Sequence, residues 1–121
     1  MATPGKTTLE QQRAADAWQR CQNYGKEEVN AAKGLPALIM NSGLIQVLAF
    51  CHEKGKANAK VAQDLQDWLA QRFIKVLPKA DFETLMANLM NATPADYQAI
   101  TSEAFAWLRW MRQMAAARIR N

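Results

Sequence analysis

The side chains that most often carry catalysis and metal binding are scarce in this chain of 121 residues. His52 is the only histidine, which excludes a multi-histidine metal site and the HExxH motif. Cys21 and Cys51 stand alone without a CxxC pair, so we expect two reduced, buried thiols. Neighbouring helical residues point about 100° apart, which disfavours Cys51 and His52 as a catalytic pair. The sequence therefore predicts no catalytic residue, no metal and no cofactor, and it favours binding over catalysis.

Long hydrophobic runs are also absent. The longest, residues 35–40, is far shorter than the ~20 residues that span a bilayer. Residues 1–12 lack the apolar stretch of a secretory signal. We therefore expect a cytoplasmic protein that has no membrane partner.

No segment alternates apolar and polar residues over the length of a strand, so no sheet is predicted. Half of the residues are apolar, which is typical of a globular chain. The predicted fold is all-α, a compact bundle of about five to six helices. Residues 1–121 form one domain in this prediction, with residues 1–6 as a loose tail.

Residues 33–50 are the most informative stretch, because they predict two short, almost wholly apolar helices with a break at residues 41–43. Gly34 is expected to end the preceding helix, and Pro36 to occupy the first turn of the next. Gly43 suits the left-handed conformation that closes a helix. Helices that are apolar on all sides must be buried, so this block predicts the core.

Capping signals and apolar periodicity predict the remaining helices. The first starts at Thr7 or Thr8, with Glu10 or Gln11 closing a capping box, and runs to about residue 33 with Trp18 in its apolar stripe. Asp81 and Thr93 are predicted caps of later helices. The predicted ranges after the break are about 44–54, 58–76, 82–90 and 94–120.

The last predicted helix carries more apolar surface than one core face needs. Its core stripe is Tyr97, Ala104, Leu108, Met111, Ala115 and Ile119. Trp107, Trp110 and Met114 lie to the side of this stripe. They are covered by a neighbouring element or form a contact with another subunit, where Trp and Met are enriched.

Charge is unevenly distributed along the chain, whose formal net charge is +4. Residues 51–80 contain six basic and three acidic groups, residues 81–103 four acids and no base, and residues 104–121 four arginines and no acid. This pattern fits a solvated surface, or one that meets polyanions or a complementary copy of the chain. Arg72 falls inside an apolar stripe, so it lays its stem on the core or pairs with an acid or a phosphate.

Two motifs resemble a known family. Residues 33–50, with Leu35-Pro36, Gly43-Leu44 and Leu48-Ala49-Phe50, are similar to the signature of the small subunit of the Cmr complex, the type III-B CRISPR RNA-guided effector. Residues 103–110, Glu-Ala-Phe-Ala-Trp-Leu-Arg-Trp, resemble the C-terminal helix of that family. The motifs cover about a third of the chain and are packing motifs.

The resemblance implies a non-catalytic subunit that stacks in several copies beside the backbone subunits. Together they would line a channel for guide RNA and target RNA, while cleavage and cyclic oligoadenylate synthesis belong to the backbone and large subunits. Expected partners are those subunits, further copies of this chain and both RNA strands through their backbones. From charge and helical geometry, the expected RNA contacts are Lys54, Lys56, Lys60, Arg72, Lys75, Arg109, Arg112 and Arg120. The expected subunit contacts are Trp107, Trp110 and Met114.

Two alternatives stay open from the residues alone. One is an unrelated all-helical adaptor that binds a protein through its Trp/Met face. The other is a small ribonuclease built on His52 and nearby lysines.

Overall fold

Six helices follow one another in the computed structural model, which describes residues 7–119. A 3-10 turn at Cys21–Asn23 joins the first two helices, and no strand occurs among the described residues. The all-α prediction is confirmed. The helices are α1 Leu9–Arg20, α2 Lys26–Ser42, α3 Leu44–Lys54, α4 Lys56–Arg72, α5 Phe82–Met90 and α6 Pro94–Arg118.

Side-chain caps fix the starts of three helices, as the sequence predicted. The Thr8 hydroxyl accepts from the Gln11 N–H, and the Gln11 side chain accepts from the Thr8 N–H, which completes a capping box on α1. Asp81 accepts from the N–H of Thr84 at α5, and Thr93 accepts from the N–H of Asp96 at α6. Each cap satisfies an amide that the first helical turn would otherwise leave unpaired.

The prediction of one long first helix was wrong. The first helix ends at Arg20, and a second helix begins after Gly25 and continues through Gly34. Glu28 accepts a 2.7 Å hydrogen bond from the Gly25 N–H, so Gly25 caps a new helix. The helix then runs through Gly34 and Pro36 to Ser42 as a single element. Tertiary packing overrides the two helix breakers here, since Leu35 and Ile39 are buried on either side of Pro36.

The break after α2 lies where it was predicted. Gly43 has a φ of 86°, a left-handed value that residues with a side chain rarely adopt. Its N–H donates a hydrogen bond to the Ile39 carbonyl at 2.7 Å. By contrast, α4 ends at Arg72 rather than at about residue 76. Backbone hydrogen bonds from Val76 and Leu77 to the Phe73 carbonyl form a turn there.

The last helix, α6, is the central element of the core and packs against α1, α2 and α4. Ala104, Leu108, Met111 and Ala115 are fully buried, which matches most of the predicted stripe. Trp18 was expected in the core stripe of the first helix, but it is 44% exposed and the Arg118 guanidinium lies 4.2 Å from its ring. The side of α6 that faces away from this core carries the basic surface described below.

Two glycines give a matched test of the α2–α3 geometry. Gly34 is helical and exposed, and a Cβ built on it meets nothing within 4 Å. We expect Gly34→Ala to raise the free energy of unfolding by about 0.5–1 kcal/mol. Gly43→Ala should lower it by about 1 kcal/mol or more, because the positive φ disfavours alanine. Denaturant unfolding followed by circular dichroism measures both, and a destabilised Gly34→Ala would contradict the continuous helix.

Candidate nucleic-acid interface

Arg109 and Arg112 form an arginine ridge on the exposed side of α6, and a hollow lies on each side of it. One hollow is a cleft of about 580 Å³ lined by Glu10, Arg13, Ala106, Arg109, Trp110, Arg112 and Gln113. The other, of about 300 Å³, is lined by Pro36, Met40, Phe105, Arg109 and Arg112. Within residues 7–119, neither arginine of the ridge forms an ion pair or a side-chain hydrogen bond. Both guanidinium groups are therefore available to an anion.

Lys54 and Lys56 come together at a second basic site, the junction of α3 and α4. They line a groove of about 420 Å³ whose opposite wall is α2, including Asn30 and Gly34. Lys56 has a φ of 52°, unusual for a residue with a side chain, and it follows Gly55, whose φ is 75°. The sharp turn between the two helices is what presents both lysines on one side of the groove.

The other basic residues expected to contact RNA do not join these two sites. The Lys60 ammonium lies 3.3 Å from an oxygen of Asp64, so its charge is already paired within the chain. Arg72 is exposed at the end of α4, with its guanidinium 5.7 Å from the Phe73 ring centroid. Lys75 is exposed in the turn that follows, and Arg120 lies outside the described residues.

The three residues predicted to form a subunit contact divide between core and surface. Trp107 is fully buried, and its indole N–H donates a 2.8 Å hydrogen bond to Asp16 on α1. That part of the prediction is corrected, because α1 covers this flank of α6. Trp110 and Met114 are partly exposed, one helical turn apart. Trp110 lies in the cleft beside the arginine ridge.

Beneath this surface, a carboxylate network joins the helices, defined here by Asp16, Asp64 and Glu103. Each carboxylate pairs with a cation and accepts a hydrogen bond from one aromatic side chain, and Asp64 has Arg20 as a second cation at 4.0 Å. Glu103 accepts two 2.7 Å bonds from Arg13 and one of 2.9 Å from the Trp68 indole. The partners of Asp16 are Arg20 and Trp107, and those of Asp64 are Lys60 and the Tyr24 hydroxyl.

The ionisation of these groups follows from their contacts. Burial raises the pKa of Glu103, but hydrogen bonds from Arg13 and Trp68, together with nearby positive charge, outweigh burial and leave the pKa below its ordinary value. Burial and the Asp64 carboxylate both raise the pKa of Tyr24, which keeps this phenol protonated as a donor. Arg13 is consequently held at the edge of the cleft by a fixed anion.

The two cysteines are buried, and the histidine stacks on an aromatic ring. Cys21 and Cys51 are buried free thiols, as predicted, and burial raises the pKa of each. His52 stacks on Phe82 with 3.8 Å between the ring centroids and an interplanar angle of 5°. Among residues 7–119, no group of three or more His, Cys, Asp or Glu side chains is placed to hold a metal ion.

The sequence-based prediction of this surface missed three basic residues. Arg13 lines the large cleft, while Lys26 and Lys33 line a hollow of about 390 Å³ between α2 and the end of α6. Arg13 follows the Thr8 cap on the predicted first helix, but only the packing of α1 against α6 brings it near Arg109. No signal in the sequence alone indicates that contact.

The fold and these surfaces define the class of protein: a small all-helical protein with basic clefts on its surface. None of the helices in residues 7–119 combines the length and apolar character needed to cross a membrane. The family described as CRISPR-associated protein (Cas_Cmr5) matches residues 9–118, and the chain belongs to this family. Family membership makes it a small subunit of a Cmr complex.

A solved structure supports the same conclusion. The X-ray crystal structure of a CRISPR-associated Cmr5 family protein from Thermus thermophilus matches with a TM-score of 0.74 and 27% sequence identity. The match covers 94% of this chain and 100% of that chain. No curated protein matches the sequence. The resemblance seen in the sequence is confirmed, and the alternative of an unrelated adaptor is set aside.

The carboxylate network gives a test of how the fold depends on pH. Glu103→Gln should lower the free energy of unfolding at pH 7 by about 2–3 kcal/mol, because Arg13 loses its buried anion. The folded-state pKa is lowered, so the ionised carboxylate stabilises the fold above its ordinary pKa of 4.5, and this contribution is lost as the pH falls below it. Between pH 5 and pH 3, urea unfolding should therefore show a smaller loss of stability in the variant than in the wild type.

Glu53→Gln is the matched control for this measurement, since Glu53 is exposed on α3. Its free energy of unfolding should stay within about 0.5 kcal/mol of the wild-type value. Equal pH dependence in the wild type and in Glu103→Gln would show that the Glu103 carboxylate does not stabilise the fold.

Proposed function

We propose that this chain is a non-catalytic subunit that stacks in several copies and lines the channel of a cytoplasmic type III-B Cmr effector. There it contacts the phosphates of guide RNA and target RNA without reading their sequence. The proposal depends on the exposed guanidinium groups of Arg109 and Arg112, which have no ion-pair partner in the described part of this member of the Cmr small-subunit family. Neighbouring subunits supply cleavage and second-messenger synthesis in this proposal.

The contacts between RNA and protein are electrostatic in this proposal. The planar guanidinium group of arginine matches the geometry of a phosphate. An unpaired cation also breaks no ion pair when it exchanges water for a phosphate. Lys54 and Lys56 provide a second contact point across α2 from the arginine ridge. Lys75, Arg72 and Arg120 remain further candidates, whereas Lys60 would have to leave Asp64 in order to bind.

Contacts between copies use a different part of the surface in this proposal. Met114 is partly exposed on α6 and lines neither hollow of the arginine ridge. Asp81, Glu83 and Asp96 lie at or near the starts of α5 and α6 and offer an acidic surface to basic residues of the next copy outside the arginine ridge, such as Lys26 and Lys33. Trp110 is a candidate for either partner, because it lies between Met114 and the arginines.

Affinity purification tests the assembly. The tagged chain, expressed in its native host, should co-purify with larger Cmr subunits and with repeat-derived guide RNA. Protein identification and RNA sequencing give the readout, and the ratio of this chain to the backbone subunit gives the copy number. Recovery with one unrelated protein and no RNA would overturn the proposal.

Binding of the purified chain to RNA tests the phosphate contacts. Arg109→Gln combined with Arg112→Gln should weaken binding to single-stranded RNA. The slope of log K against log salt should also fall by about 1.4, because each phosphate contact contributes about 0.7. Fluorescence anisotropy at several salt concentrations measures both effects. Lys79→Gln, which removes an exposed charge outside both basic sites, is the matched control and should change the slope little.

A further inference from the structure

The arginine ridge has an aromatic ring on each of its two sides. Trp110 lines the larger hollow and Phe105 the smaller one, and both rings are partly buried. Phe105 and Trp110 are five positions apart on α6, which corresponds to about 7.5 Å along the helix axis and about 140° around it. Arg109 and Arg112 line both hollows, so each hollow contains one aromatic ring and the same two cations.

Phosphate binding alone does not account for these rings. In a paired RNA helix the bases stack on one another, so a duplex offers protein side chains its phosphates, hydroxyls and base edges. A tryptophan beside arginines gains most from an unpaired base, which stacks on the indole while the neighbouring phosphate meets a guanidinium. The Gln113 amide lines the same cleft and supplies both a donor and an acceptor.

The charges in the cleft favour RNA over a protein partner. Three arginines and one carboxylate, Glu10, line the larger hollow, and among residues 7–119 only Arg13 of these arginines has an ion-pair partner. A protein bound here would have to place carboxylates against Arg109 and Arg112. Without them, binding would bury the two guanidinium groups unpaired, which costs free energy. A single RNA strand carries a negatively charged phosphate at every nucleotide.

We propose that the Trp110 cleft binds single-stranded RNA, with an unpaired base stacked on Trp110 and the adjoining phosphates on Arg109 and Arg112. This inference rests on the proposed RNA contact and adds a preference for unpaired nucleotides. It assigns Trp110 to RNA and leaves contacts between copies to Met114.

Three fluorescein-labelled probes separate stacking from charge: a 12-nucleotide oligouridylate, an abasic RNA of the same length and a 12-base-pair RNA duplex. The abasic strand keeps the phosphates and lacks the bases. The wild-type chain should bind the oligouridylate about 5- to 150-fold more tightly than the abasic strand, which is the usual effect of one stacked base. Trp110→Leu should remove this preference and leave binding of the abasic strand and of the duplex unchanged.

Two further variants keep the test sharp. Trp18→Leu is the matched control, because Trp18 is an exposed tryptophan on α1 that does not line the cleft, and it should retain the preference. Trp110→Phe retains an aromatic ring and should keep part of the preference for the oligouridylate. Intrinsic fluorescence gives an independent readout, since oligouridylate should quench the tryptophan signal of Trp18→Phe more than that of Trp110→Phe.

The outcomes distinguish this inference from the function on which it rests. Binding of all three probes with no preference for bases, unchanged in Trp110→Leu, would overturn the stacking role and leave the phosphate contacts standing. Absence of binding to any probe at low salt would overturn both. A Trp110→Leu variant that keeps the preference but no longer joins the Cmr complex would make Trp110 a subunit contact instead.

Discussion

The buried carboxylate of Glu103 is the interaction on which the arrangement of the helices depends. It lies on α6, accepts two hydrogen bonds from Arg13 of α1 and one from Trp68 of α4, and is only 5% exposed. A charged group so far removed from water is tolerated only with a cation and full hydrogen bonding. Because these partners come from two other helices, α1 and α4 can each pack on α6 in one register.

The need to pair the buried Glu103 carboxylate also determines which face of α6 is exposed to solvent. With Glu103 and Trp107 turned toward α1 and α4, the opposite side of the helix carries Arg109 and Arg112 into solvent. The Trp107 indole satisfies Asp16, so this large ring contributes core packing and a hydrogen bond at once. The basic surface is therefore a consequence of how the core is paired, and its arginines are held on a helix that is well supported from beneath.

Local signals predicted the helices well, and tertiary contacts account for the errors. Thr8, Asp81 and Thr93 cap their helices as expected, because a cap requires only residues within one turn. Gly34 was predicted to end a helix but lies inside α2, and the break falls instead near Gly25, whose N–H donates to the Glu28 side chain. Trp107 was expected at a surface because a helical wheel does not show that α1 lies over it. Arg109 and Arg112 were found from charge, whereas Arg13 required the packing of α1 on α6.

Charge pairing, rather than net charge, decides which basic side chains a polyanion can reach. Arg13, Arg20 and Lys60 neutralise carboxylates that are mostly buried, and moving one of them onto a phosphate would leave an unpaired anion near the core. Arg109 and Arg112 neutralise nothing inside the described part of the chain, so a phosphate bound there removes no stabilising contact. In the proposed function, the network that holds the bundle together therefore withholds Arg13, Arg20 and Lys60 from a phosphate, whereas Arg109 and Arg112 stay available to one.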